Sequence, residues 1–222
     1  MLTLLAALQS EADAILSRAQ DISAREAFGK TIYTGHCGGP FRLIVTGVGK
    51  SNAAAGAMLA LALDAAEAGG RSVLASVGTA GGLNQKAPVG CVTAAVRAVQ
   101  FDVDLSPVNH TPQGTLNEYE TPYIPLCEAK GFPPVTLATA DRFGDGRDAA
   151  LLRSLGCDVQ DMEGAAVAHV AERAGVPCYA FKAISDNADD DGGRAYYENL
   201  RIALDALGQA VPAMFAACKE AE

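Results

Sequence analysis

The chain has 222 residues, of which 50% are hydrophobic and 19% charged, the balance expected of a packed domain long enough to bury a core unaided. Its formal net charge of −9, with no cluster of lysine and arginine, argues against nucleic-acid binding. Six cysteines without a C-x-x-C pair argue against a zinc site or dithiol motif and read as small buried residues of a non-secreted chain.

Residues 2–8 form a short apolar run, expected as a first buried strand. No basic segment opens the chain, and Glu11 and Asp13 follow closely, so no signal peptide is expected. The longest apolar run, residues 53–63, falls well short of the ~20 residues that span a bilayer. The expectation is a cytoplasmic protein with no membrane partner, forming one domain over residues 1–222. Ser10 is placed to cap a helix over residues 12–19. Glu11 then stands at a strand-to-helix junction. An acid in a first helical turn favours the helix dipole, and one beside a strand's carboxyl end is also placed for catalysis; both readings stay open.

Residues 31–35 and 41–48 read as two strands joined at Gly38-Gly39-Pro40. The stretch Gly47-Val48-Gly49-Lys50-Ser51 imitates a phosphate-binding loop. It fails because Ile44 stands where the first glycine is required. A glycine turn into a helix still leaves backbone N–H groups to face a site. The following helix, residues 51–68, is expected to end at Gly69-Gly70. Residues 72–77 read as a buried strand, followed by a glycine-rich loop over residues 78–83. Such a loop is either a tight turn or a place where backbone approaches a ligand.

Residues 90–99 read as a strand, and residues 101–122 as a long irregular segment of the kind that is usually functional or mobile. His110 within it has no visible partner and reads as a surface residue. Then come a strand at 135–140, a helix at 148–155, a strand at 158–162, a helix at 165–173 containing a packed or surface His169, and a buried strand at 176–184. Asp189-Asp190-Asp191-Gly192 lacks calcium-loop spacing and reads as a solvated loop. Residues 194–217 form a last amphipathic helix, kinked at Pro212. The alternation predicts a three-layer α/β fold: a central twisted mixed sheet, mostly parallel, flanked by helices.

Glu163 follows the strand at 158–162 and Asp186 follows the strand at 176–184. Ligands of open α/β sheets bind beyond the carboxyl ends of the strands, so the two acids are expected to enter one pocket from neighbouring strands. No Ser-His or Cys-His arrangement, metal-ligand cluster or G-x-S-x-G motif is present. Carboxylates without a metal suit cleavage of a glycosidic bond, where one acid protonates the leaving group and one carboxylate activates water. The acid needs a pKa raised by burial.

Asp161-Met162-Glu163-Gly164, Ile184-Ser185-Asp186, residues 78–83, Gly47-Val48-Gly49-Lys50 and residues 7–11 occur in the order found in the purine nucleosidase and nucleoside phosphorylase superfamily. Within it the chain resembles the 5′-methylthioadenosine/S-adenosylhomocysteine nucleosidases. The resemblance implies a nucleoside phosphorylase-like fold and hydrolysis of an adenine nucleoside, with no cofactor and no metal. It implies that Asp186 protonates the purine, oriented by Ser185, and that Glu11 activates water. It implies that Glu163 holds the ribose hydroxyls with Met162 beneath the sugar. Phe143 would stack on the purine, its backbone reading the base edge, while Val48 and Thr79 line the sugar and water region. A homodimer is implied, residues 101–122 of one subunit covering the 5′ substituent in the other. Asp161 and Lys182 depart from the pattern, which usually has Glu and Arg there. Alternatives are another purine nucleosidase such as futalosine hydrolase, a purine nucleoside phosphorylase, or a catalytically silent nucleoside-binding protein.

Overall fold

The computed structural model describes residues 1–67, 73–189 and 192–219. In chain order the elements are β1 (Leu2–Ala6), α1 (Gln9–Leu16), β2 (Gln20–Ala27), β3 (Lys30–His36), β4 (Pro40–Val45), α2 (Lys50–Ala66), β5 (Val73–Gly82), β6 (Val92–Gln100), α3 (Ser106–Asn109), β7 (Ile124–Pro125), β8 (Pro134–Thr139), α4 (Ala149–Ser154), β9 (Val159–Asp161), α5 (Gly164–Ala174), β10 (Cys178–Asp186) and α6 (Gly192–Lys219).

β1 is buried along its whole length. A strand covered on both faces is apolar throughout rather than alternating, which is why residues 2–6 read so clearly. Its side chains divide by parity. Leu4 and Ala6 join a core with Ile15 of α1 and Leu207, Val211 and Phe215 of α6. Leu5 points the other way, to a core with Ala57 and Ala60 of α2 and Val167 and Ala171 of α5. Helices therefore cover the sheet on both faces. Length and a mean hydropathy of 1.2 would by themselves let residues Gly193–Lys219 cross a membrane, but α6 buries Ala203, Leu207, Val211, Met214 and Phe215 in the first core.

β5 is the junction of the sheet. It bonds β1 and β10 in parallel and β9 antiparallel. The pairings run from β5 through β9, β8, β6 and β10 back to β5, a closed circuit of five strands, while β1, β4, β3 and β2 extend from β5 as an arm. The sheet is mixed but not mostly parallel. Antiparallel pairs come from the short links β2–β3 and β3–β4, from β5–β9 and β10–β6 in the circuit, and from β6–β7. Short connections between adjacent strands can only be antiparallel.

Several expected boundaries move. β2 was not expected at all: its pattern is exposed almost throughout, so no apolar alternation marks it. Its turn into β3 uses Phe28 (φ 51°) and Gly29 (φ 70°), both positive as a type I′ hairpin turn requires. Ser10 is not the cap of α1; the helix begins at Gln9 after Leu8, and Ser10 lies inside its first turn. The glycine stretch 78–83 is not a loop, because β5 continues through Gly82. Gly69-Gly70, expected to end the second helix, and Asp190-Asp191 of the acidic run lie outside the described residues.

Glycine is needed at the end of β5 for packing rather than turning. A Cβ on Gly82 would lie 2.2 Å from the Ala87 carbonyl oxygen and 3.2 Å from Ile184 Cγ2. Gly82→Ala is therefore expected to destabilise the fold by about 1–3 kcal/mol, read as a lower urea midpoint with an unchanged slope. Gly193→Ala, where a Cβ meets nothing within 4 Å, serves as the tolerated control.

Candidate active site

A cavity of about 360 Å³ opens where β5, β9, β10, α1 and α6 meet. Every expected site residue lines it: Glu11, Val48, Thr79, Phe143, Met162, Glu163, Ser185 and Asp186. Its size falls in the range of small-molecule sites, roughly 300–1,000 Å³. The two acids do not come from neighbouring strands as expected. Gly81 of β5 stands in register with Gln160 of β9 on one side and with Asp186 of β10 on the other. Glu163, just beyond β9, and Asp186 thus approach from opposite flanks of β5.

Glu11 both closes the start of α1 and lines the cavity. Its Oε2 accepts the backbone N–H groups of Ala7 (3.1 Å) and Leu8 (3.0 Å), capping α1. Its Oε1 accepts the Thr79 N–H (2.7 Å) and hydroxyl (3.0 Å) across the cavity floor. Four donors match the acceptor capacity of an ionised carboxylate. Gly78 admits this close approach, since a Cβ there would lie 2.6 Å from Oε1.

Glu163 accepts the Gly49 N–H at 2.7 Å. The Lys50 N–H goes to Asp141 Oδ1 at 2.7 Å, and the Lys50 ammonium to Asp102 at 2.6 Å. The N–H groups of Gly49 and Lys50 are thus occupied by the protein's own carboxylates and are not free as the sequence suggested. Burial, with repulsion from Asp161, pushes the Glu163 carboxyl up to about 7, against the attraction of Lys182.

The two departures from the family pattern pair with each other. Lys182 Nζ lies 2.8 Å from Asp161 Oδ2, the side chains 2% and 1% exposed, and donates to the Ser76 hydroxyl at 2.9 Å. Burial alone would lower the lysine's pKa, but Asp161 and Glu163 outweigh it and raise it. Asp161 also accepts the Gly164 N–H (2.8 Å), at the start of α5, and the Thr139 hydroxyl (2.5 Å). A shorter acid and a shorter-headed cation meet, and the backbone beside Glu163 is fixed by their contact.

Asp186 is 2% exposed. Its Oδ2 accepts the Ser185 hydroxyl and its Oδ1 the Ala188 N–H, each at 2.8 Å. Burial raises its pKa, with these two hydrogen bonds acting the other way.

Val48 and Phe143, each 44% exposed, stand at the rim. Sequence reading gave no site role to Tyr196 and Tyr197, which α6 brings to the cavity, or to Gln160. The Tyr196 ring meets Phe143 edge-on, centroids 5.8 Å apart, and its phenol is raised by burial and by Glu11. The signal was the paired tyrosines in the first turns of the last helix, ahead of its apolar spacing. His169 bonds the Tyr119 hydroxyl at 3.0 Å, as a packed histidine would, and His110 is exposed.

A mixed sheet with a closed circuit, helices on both faces and a carboxylate-rich cavity at β5 define the nucleoside phosphorylase-like fold. The chain belongs to the phosphorylase superfamily, whose pattern it matches over residues 2–216. It is 31% identical to the aminodeoxyfutalosine nucleosidase of Helicobacter pylori strain J99 over 142 residues, a match spanning 55% of this chain and 59% of that protein. It is 27% identical to the 5′-methylthioadenosine/S-adenosylhomocysteine nucleosidase of Haemophilus ducreyi, over 95% of each chain. The solved futalosine hydrolase of Helicobacter pylori strain 26695 shares the fold at a TM-score of 0.84, with 23% identity and 97% of both chains covered.

Asp161→Asn is expected to destabilise the protein by about 3–5 kcal/mol, because it leaves the Lys182 charge buried without its partner. Denaturant unfolding of Asp161→Asn, Lys182→Met and the double variant checks this; the double variant should recover part of the loss.

Proposed function

We propose that this protein is an N-glycosyl hydrolase that cleaves 5′-methylthioadenosine and/or S-adenosylhomocysteine, releasing adenine and the 5′-thio-ribose. The observation that carries the reading is the convergence of three buried or half-buried carboxylates, Glu11, Glu163 and Asp186, on one cavity that offers no ready anion receptor. The N–H groups of Gly49 and Lys50 are taken. Among the described residues lining the cavity the one guanidinium, Arg142, is held by Asp148 at 2.9 Å. That favours water over phosphate as the nucleophile.

In this reading the purine stacks against Phe143 and the sugar lies over Met162, between Val48 and Thr79. Asp186, its pKa raised by burial and its carboxyl aimed by Ser185, donates its proton to the imidazole-side nitrogen. The glycosidic bond then breaks with its electron pair going to a neutral base. Glu11 takes a proton from water as the hydroxyl oxygen joins the anomeric carbon of the oxocarbenium-like sugar. Glu163 accepts the ribose hydroxyls. A cytoplasmic homodimer goes with this reading, and the 84% exposure of Val108, in the segment expected to reach the partner's cavity, supports it.

The test follows adenine and sugar product together, from 5′-methylthioadenosine, with and without phosphate. Equal adenine release with free methylthioribose is expected; adenine only with phosphate, as a sugar phosphate, would make the protein a phosphorylase. S-adenosylhomocysteine and futalosine run in parallel identify the 5′ substituent. Release from none of them would leave a nucleoside-binding protein.

Asp186→Asn and Glu11→Gln are each expected to lower kcat by about 10²-fold or more, the usual scale of general acid–base catalysis. Glu163 must be ionised to accept the hydroxyls, and its pKa stands near 7. KM is therefore expected to rise as pH falls through about 7, and this dependence to vanish in Glu163→Gln.

A further inference from the structure

Gln160 is the least explained polar group in the cavity. It is 6% exposed and lines the cavity wall on β9. Among the described residues its amide has no hydrogen-bond partner, whereas Glu11, Glu163, Ser185 and Asp186 are all bonded. An amide that borders a cavity without a protein partner is open to a ligand that replaces its water.

Its surroundings are bare. A Cβ on Gly144 would lie 3.1 Å from Gln160 Oε1 and 2.8 Å from the Ala188 methyl. A Cβ on Gly81 would lie 2.8 Å from the same methyl and 2.8 Å from Asp186 Oδ1. Two glycines and one methyl therefore separate Gln160 from Asp186, leaving a flat strip with an amide at one end and an acid at the other.

We propose that Gln160 is a specificity-determining residue that hydrogen-bonds the 6-substituent of a purine. The inference rests on the reading of the cavity as a purine nucleoside site. With Asp186 at the imidazole-ring nitrogen, the next group along that edge of the purine is the 6-substituent, and the bare strip leads from Asp186 to Gln160. An amide carries a donor and an acceptor and can present either by turning over. It accepts from a 6-amino group and donates to a 6-oxo group, so this pocket takes adenine and hypoxanthine and discriminates against a purine bare at position 6. Sites built to bond a ligand group reject the analogue that lacks it.

The experiment measures calorimetric affinities of adenine, hypoxanthine and unsubstituted purine for the full chain and for Gln160→Leu. A wild-type preference of about tenfold or more for the two substituted bases is expected, the scale of one neutral hydrogen bond. In Gln160→Leu that preference should disappear while the affinity for purine stays within about threefold. Gln160→Met, which keeps the length without the amide, should behave the same and carries the test if the leucine variant does not fold. Equal weakening of all three bases, or a retained preference, would overturn the role of Gln160. Binding of none of them to the wild type would instead overturn the purine site itself, and because no turnover is required the two failures are distinguishable.

Discussion

A single buried ammonium holds the carboxylate floor of this protein together. Lys182 on β10 touches Asp161 on β9 and Ser76 on β5, so it ties the three strands at the point where the circuit and the arm of the sheet meet. Four acids, Glu11, Asp161, Glu163 and Asp186, line the same cavity above it. Burial and the neighbouring Asp161 charge both push the Glu163 carboxyl toward its neutral form, and Lys182 pulls the other way. Lys182 and the Gly164 N–H both contact Asp161 Oδ2, and the backbone turn bearing Glu163 is fixed in consequence.

The second constraint is steric. β5 can bond three strands and still border a cavity because its last residues have no side chains. Gly78 makes room for the Glu11 carboxylate, Gly81 for Asp186 and Ala188, and Gly82 for the Ala87 carbonyl. Packing density of this kind leaves no slack for even one methyl group. The glycines that looked like a loop are what allow a strand to run through the site.

Much of this was legible in the sequence because the signals are local. Continuous apolar runs marked β1, β5 and β10, and acids at element ends marked Glu11, Glu163 and Asp186. The order of short motifs carried the family. What escaped was set by tertiary contact. β2 has no apolar face, because it lies exposed at the outer edge of the arm. The direction of β9 depends on closing the circuit, which no local pattern records. Tyr196, Tyr197 and Gln160 are polar residues on elements read by their apolar spacing, so their facing the cavity could be seen only once those elements were placed. The pairing of Lys182 with Asp161 was likewise invisible, though each was noticed separately as a departure.

Glu11 joins three contacts in one side chain: a helix start, a strand and the cavity. The same carboxylate that faces the cavity closes the first turn of α1 through Ala7 and Leu8 and anchors it to β5 through Thr79. α1 in turn packs on α6, the helix that supplies the aromatic rim. Drift at this position is therefore coupled: a descendant that discarded the acid would loosen a helix terminus and the wall beyond it in the same step. The fold alone is thus reason enough to keep the residue, and the presence of this glutamate in a relative says nothing by itself about turnover.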